Sequence, residues 1–208
     1  MSRYNISVFL VWLFTISGIA GVLLGFQDWF ASKTAINLSL FGALLVWNYP
    51  LETNKKIFTA IIVVLIGIGV EMLGVTTKFP FGEYYYGENL GFKVIGVPLL
   101  IGVNWLYLSL GTASIAAHFS ENKPLRIVLA SAFMVAIDVL IEPGAKILGY
   151  WEFAESPVPF QNYVGWFVIS LLIHFLIQTA QMQEKRPFTL HMVASSILFF
   201  TIVLMAQS

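Results

Sequence analysis

The chain has 208 residues, of which 58% are hydrophobic and only 11% charged, with eleven basic and eleven acidic residues and a formal net charge of zero. Soluble domains carry roughly 25% charged residues, so the composition excludes one, and the absence of a positive surplus excludes the electrostatic footprint of a nucleic-acid binder. No cysteine is present, which removes disulfides, thiolate metal sites and a thiol nucleophile.

Seven apolar stretches follow in chain order, at residues 4–26, 35–49, 57–73, 94–119, 125–148, 160–182 and 188–206. Each can close its backbone hydrogen bonds within a helix, as hydrocarbon demands, and the period-2 alternation of a membrane barrel is absent. The first follows Arg3 but lacks a small-residue cleavage site, so it reads as a helix and not as a signal peptide. The second is short and extends toward Phe30. The fold class predicted is an all-α integral membrane protein: one polytopic domain over residues 1–208, built as a bundle of about seven transmembrane helices.

Basic residues near the span ends orient the bundle. One side collects Arg3, Lys55, Lys56, Lys123, Arg126, Lys185 and Arg186, and the other Lys33, Lys78, Lys93 and Lys146. Seven against four puts the N-terminus in the cytoplasm and the C-terminus outside, with the chain in the cell (inner) membrane. The cytoplasmic links 50–56, 120–124 and 183–187 are short. The two long links, 74–93 and 149–159, fall together on the non-cytoplasmic side and are rich in aromatic residues, Gly and Pro. Long irregular segments on short-looped helices are where function concentrates.

Ionisable groups within apolar spans cost ~2.5–3.5 kcal/mol each on insertion scales, so they point to function. Glu71 lies near the outer end of the third span. Asp138 and Glu142 lie four residues apart in the fifth, on one face of one helix, and Pro143 is expected to end or kink that helix. Both spans run outward, which brings Glu71 level with Glu142 and leaves Asp138 about one turn deeper. Interfacial carboxylates reaching water would account for Glu71 and Glu142 equally, and a helix–helix hydrogen bond for Asp138. Two neighbouring carboxylates in lipid must nevertheless share protons or a cation.

Residues 71–87 are the densest feature. Gly74, Gly82 and Gly87 permit tight turns, and Pro80 sits between Phe79 and Phe81. Tyr84, Tyr85 and Tyr86 can cover an apolar mouth while pointing hydroxyls at water or a carboxylate; a headgroup aromatic belt is the alternative. Asn104 and Trp105 in the fourth span, and Trp151 after the fifth, can add polar and aromatic walls. The histidines His118, His174 and His191 lack metal-binding spacing, so no metal is predicted, and His174 reads as a helix–helix hydrogen bond. The seventh span contains no lysine, which argues against a retinal Schiff base there.

Glu71-x-x-Gly74-Val75, Phe81-Gly82-x-Tyr84-x-Tyr86, Val97-Pro98 with Trp105, and Asp138-x-x-x-Glu142-Pro143 with Trp151 together resemble the carotenoid biosynthesis protein family. That family includes membrane-bound carotenoid 1,2-hydratases, the bisanhydrobacterioruberin hydratase type among them. The motifs span roughly residues 65–155. Thr76-Thr77-Lys78 stands where the family pattern has Thr-Gly before the aromatic loop.

The resemblance implies addition of water across the terminal C1–C2 double bond of an acyclic carotenoid end group, lycopene-like or γ-carotene-like, giving a tertiary alcohol. It implies a hydro-lyase without a cofactor, since hydration is redox-neutral, whose partners are the carotenoid, the bilayer and other carotenoid-pathway enzymes. In this chemistry Asp138 would act as the acid and Glu142 or Glu71 as the base. Phe81, Tyr84, Tyr86, Asn104, Trp105 and Trp151 would line the substrate site. Three other readings compete: a Mg²⁺-dependent prenyltransferase, a proton-coupled transporter, and a non-catalytic carotenoid-binding protein.

Overall fold

The computed structural model describes residues 2–183 and 188–207, with α-helices throughout and a few two- and three-residue strands at one end. The helices are α1 (Arg3–Leu23), α2 (Gln27–Ala31), α3 (Thr34–Asn48), α4 (Asn54–Thr77), α5 (Ile101–Phe119), α6 (Lys123–Ile147), α7 (Phe160–Thr179) and α8 (Thr189–Gln207). Side-chain caps fix several starts: Ser2 accepts from the Asn5 N–H, Thr53 from Lys56 and Asn122 from Leu125, with Pro124 in the first turn of α6. Each satisfies an amide that has no intrahelical partner. Of the basic residues used to orient the chain, Lys185 and Arg186 lie outside the described residues.

The protein is an all-α membrane protein. Five of the described helices, α1, α4, α6, α7 and α8, are long and apolar enough to cross a bilayer. The other two expected spans differ in an instructive way. The stretch 35–49 corresponds to α3, Thr34–Asn48 and only 15 residues long, and the expected continuation toward Phe30 is interrupted: α2 is separate, with a turn at Ser32 and Lys33 between them. The helix expected from residue 94 begins at Ile101, because residues 93–98 fold back as a hairpin. α5 is not among those five, and it carries Asn104, Ser109, Thr112 and Ser114 along it. It can be so because it packs against α3, α4, α6, α7 and α8, and protein instead of lipid surrounds it.

The buried hydroxyls within the bundle mostly turn back on their own helices. Thr15, Thr112, Ser114 and Ser131 each donate to the carbonyl four residues earlier, which satisfies the hydroxyl proton within the helix. His174 does bridge helices as expected: Nε2 lies 3.0 Å from Thr112 Oγ on α5 and Nδ1 lies 3.3 Å from Ser131 Oγ on α6. The outer faces of α1 and α4 carry exposed Phe9, Leu13, Phe58 and Leu65, the lipid-facing surface.

The two long links meet at one end of the bundle. Between α4 and α5 lie strands β1 (Tyr84–Tyr86), β2 (Lys93–Val94) and β3 (Val97–Pro98); after α6 comes β4 (Trp151–Phe153). β1 pairs antiparallel with β4, Tyr84 opposite Phe153 and Tyr86 opposite Trp151, while β2 and β3 form the hairpin. Its turn places both Ile95 and Gly96 at positive φ, the geometry that suits a two-residue hairpin loop. Pro143 does not end α6, which continues past it to Ile147.

Candidate active site

The site begins with the alternation of a strand. Successive side chains of β1 point to opposite faces, so Tyr84 and Tyr86 turn inward and are buried while Tyr85 is 56% exposed. Both inward hydroxyls donate to the same oxygen of Glu71 on α4, Oε2, at 2.6 Å from Tyr84 and 2.7 Å from Tyr86. The other oxygen, Oε1, accepts from Trp105 Nε1 on α5 at 3.0 Å. Three donors, two from β1 and one from α5, therefore converge on one carboxylate in the bundle. Burial first, and then the Glu71 charge, pushes both phenols above their ordinary range, so they remain protonated donors.

Tyr85 faces the other way. Its hydroxyl donates to Glu152 at 2.9 Å, and Lys146 pairs with the same carboxylate at 2.6 Å. Lys146, and then Tyr85, hold the Glu152 carboxyl below its usual range. With Lys78–Glu83 and Lys93–Glu88, this pair forms an exposed ionic rim around the aromatic roof. Such surface pairs contribute about 0–1 kcal/mol each.

Two close approaches hold the roof down. A Cβ on Gly74 would stand 2.7 Å from the Tyr84 hydroxyl and 2.8 Å from the Phe81 ring. One on Gly87 would stand 2.1 Å from the carbonyl oxygen of Gly149, where the two long links cross. Neither position has room for a side chain.

Asp138 and Glu142 lie one turn apart on α6, close enough for their carboxyls to interact, and line the same cavity. Asn162 Nδ2 on α7 donates to Asp138 Oδ2 at 2.9 Å, and Trp151 Nε1 on β4 donates to Glu142 Oε1 at 3.3 Å. Both carboxyls are buried, 2% and 6% exposed. Aromatic rings complete the walls: Trp105 stacks on Trp166 at 4.1 Å, Phe81 packs against Trp166 at 6.4 Å, and Tyr86 meets Trp151 edge-on at 6.1 Å.

Glu71, Asp138, Glu142, Phe81, Tyr84, Tyr86, Asn104 and Trp151 line one small cavity of about 20 Å³. Trp105 is not on its wall but reaches it through Glu71 and Trp166. Asn162 and Trp166 line it too, and reading the sequence missed both. An Asn and a Trp in the first turns of a span resemble ordinary interfacial residues. The one available signal was spacing: 162 and 166 share a face of α7 with Ser170 and His174. Among the described residues, no three His, Asp or Glu groups converge closely enough to hold one metal ion.

A second, much larger cavity of about 590 Å³ adjoins the first. Its walls come from α1, α2, α3, α5, α6 and α8 and are chiefly apolar, including Phe30, Phe41, Ile141 and Phe199. Exposed Leu13, Trp29 and Ile36 stand at its edge, between α1 and the α2–α3 segment. Ile101, Asn104 and Trp151 line both cavities and so form the boundary between them.

The fold and site together define a polytopic membrane protein in which a buried carboxyl cluster, roofed by aromatic loops, adjoins an apolar cavity inside the bundle. The family model described as carotenoid biosynthesis protein matches residues 34–208, and the chain belongs to that family. It is similar to the bisanhydrobacterioruberin hydratase of Haloarcula japonica, 27% identical over 223 residues that cover 96% of this chain and 74% of that protein. No solved structure matches the chain.

Proposed function

We propose that this protein is a carotenoid 1,2-hydratase, adding water across the terminal C1–C2 double bond of an acyclic carotenoid end group. The observation that carries the reading is the junction of the two cavities. An apolar space of about 590 Å³, within the size range of ligand sites, meets a pocket of carboxyls at Ile101, Asn104 and Trp151. A polyene lying in the first would present its end group to the second. The family membership and the hydratase name of the Haloarcula japonica relative support the same reading.

The chemistry then follows from the hydrogen bonds. Two carboxyls in contact share a proton, since two bare carboxylates would repel. Asp138, oriented by Asn162, delivers that proton to C2, and the positive charge develops on tertiary C1. The faces of Trp166 and Trp151 and the nearby carboxylate charge stabilise it. Glu142 accepts the proton released by the attacking water. Glu71 is the weaker candidate for the base because three donors already occupy its oxygens; it fixes the roof and supplies negative charge. Hydration is redox-neutral and calls for no cofactor. The carboxyl end of the bundle faces away from the cytoplasm, with the N-terminus inside and the chain in the cell membrane.

Expression in a lycopene-producing bacterial host, with pigments analysed by liquid chromatography and mass spectrometry, tests the reading. Wild type yields a product one water heavier, and Asp138→Asn yields none. Unchanged pigment with folded wild-type protein, across several acyclic-ended carotenoids, overturns it.

A further inference from the structure

The polar groups of the small cavity are nearly all engaged with one another. Glu71 takes Tyr84, Tyr86 and Trp105; Asp138 takes Asn162 and adjoins Glu142; Glu142 takes Trp151. Asn104 differs. It is half-buried and lies on the boundary of both cavities, yet its side chain makes no hydrogen bond to any of the described residues. A carboxamide brings two donors and an acceptor, and at Asn104 they face the cavities without a protein partner among the described residues. The small cavity is about 20 Å³, close to the 10–15 Å³ of probe-occupied volume that one water needs.

We infer that Asn104 is a catalytic residue that holds the attacking water at the boundary of the two cavities. Its Oδ1 accepts one hydrogen of the water, and Glu142 accepts the other. The oxygen lone pair is thereby turned toward the end group arriving from the large cavity. In the full step, the alkene π pair takes the acid's proton at C2 and leaves C1 cationic. The water oxygen then bonds to C1, and its surplus proton passes to Glu142. Where capture fails, the cation returns a proton to the carboxylate and the alkene reforms. The inference rests on the hydratase reading, and it separates two events that reading combines: protonation belongs to Asp138 and capture belongs to Asn104.

The test uses purified full-length protein with an acyclic carotenoid in D₂O, and measures both the alcohol formed and the deuterium in recovered alkene. Asn104→Leu is expected to lower alcohol formation by about tenfold or more, the worth of one hydrogen bond, while deuterium in the recovered alkene persists or rises. The matched pair Asn104→Thr and Asn104→Val keeps shape constant and changes only the acceptor, so a higher alcohol-to-label ratio in the Thr variant is expected even if Asn104→Leu does not accumulate. Equal ratios in that pair, or alcohol and label falling together in Asn104→Leu, would overturn the assignment. Wild type that produces neither alcohol nor label would overturn the hydratase reading and this inference with it.

Discussion

Asn162 on α7 donates to Asp138 on α6 across 2.9 Å, so one oxygen of Asp138 is fixed by a neutral amide while the carboxyl also reaches Glu142. This contact joins two helices that pack along much of their length, and it sets which face of the acid meets the cavity. Asn162→Leu should therefore reduce activity through orientation, with Asp138 still present. The expected loss is about 10–100-fold, smaller than the ~10²–10⁴-fold loss for removing the acid itself in Asp138→Asn. Initial-rate assays on the two variants check the order, and equal losses would contradict it.

The roof depends on Glu71. Replacing it with Gln substitutes an N–H₂ for one acceptor and strands at least one buried donor among Tyr84, Tyr86 and Trp105. A stranded buried group costs about 1–3 kcal/mol. Glu71→Gln should lower the Tm of detergent-solubilised protein by several degrees, about 2–4 °C per kcal/mol. It should also speed proteolysis between α4 and α5. Unchanged proteolysis would show that the three hydrogen bonds do not hold the roof.

Two glycine substitutions make a controlled pair. Gly87→Ala drives a Cβ to 2.1 Å from the Gly149 carbonyl oxygen, a backbone atom that cannot rotate away. Gly69, on α4, has nothing within 4 Å of an added Cβ. Gly87→Ala should abolish accumulation of folded protein or shift its Tm sharply downward. Gly69→Ala should be neutral or stabilising by up to about 1 kcal/mol, the helix propensity gained. Comparable behaviour in fluorescence-detected size exclusion would contradict the packing described for the two links.

Ser17 lies on α1 at the large cavity, far from the carboxyls in the sequence and on the part of the chain that precedes the family-matched residues 34–208. Ser17→Trp would fill that side of the cavity. Co-purified carotenoid and hydrated product should fall together, whereas Asp138→Asn should lose product and keep bound pigment. A Ser17→Trp variant with full activity would mean that the polyene lies elsewhere.

Five of the seven expected spans and the three acidic residues were legible because lipid makes both conspicuous: hydrocarbon forces long apolar runs, and Glu71, Asp138 and Glu142 stand out within them. Tyr84 and Tyr86 were set apart from Tyr85 only by the resemblance of Phe81-Gly82-x-Tyr84-x-Tyr86 to the family motif, and a strand's period of two then explains that spacing. Residues 94–100 were not legible as a turn. Val94, Ile95, Val97, Leu99 and Leu100 read as the start of an apolar helix, and only Gly96 and Pro98 marked the hairpin. α5 itself was legible as the body of the 94–119 stretch, while its enclosure by five other helices was not. The large cavity had no sequence signature at all, since its walls come from six helices brought together by packing.

The most direct test of hydration is the source of the new oxygen. Purified protein is incubated with an acyclic carotenoid in ¹⁸O-labelled water under ordinary air, and the product is analysed by mass spectrometry. Addition of water predicts one ¹⁸O in each tertiary hydroxyl formed, and none in the Asp138→Asn reaction. A hydroxylated product carrying unlabelled oxygen, or label appearing equally with Asp138→Asn, would contradict the account.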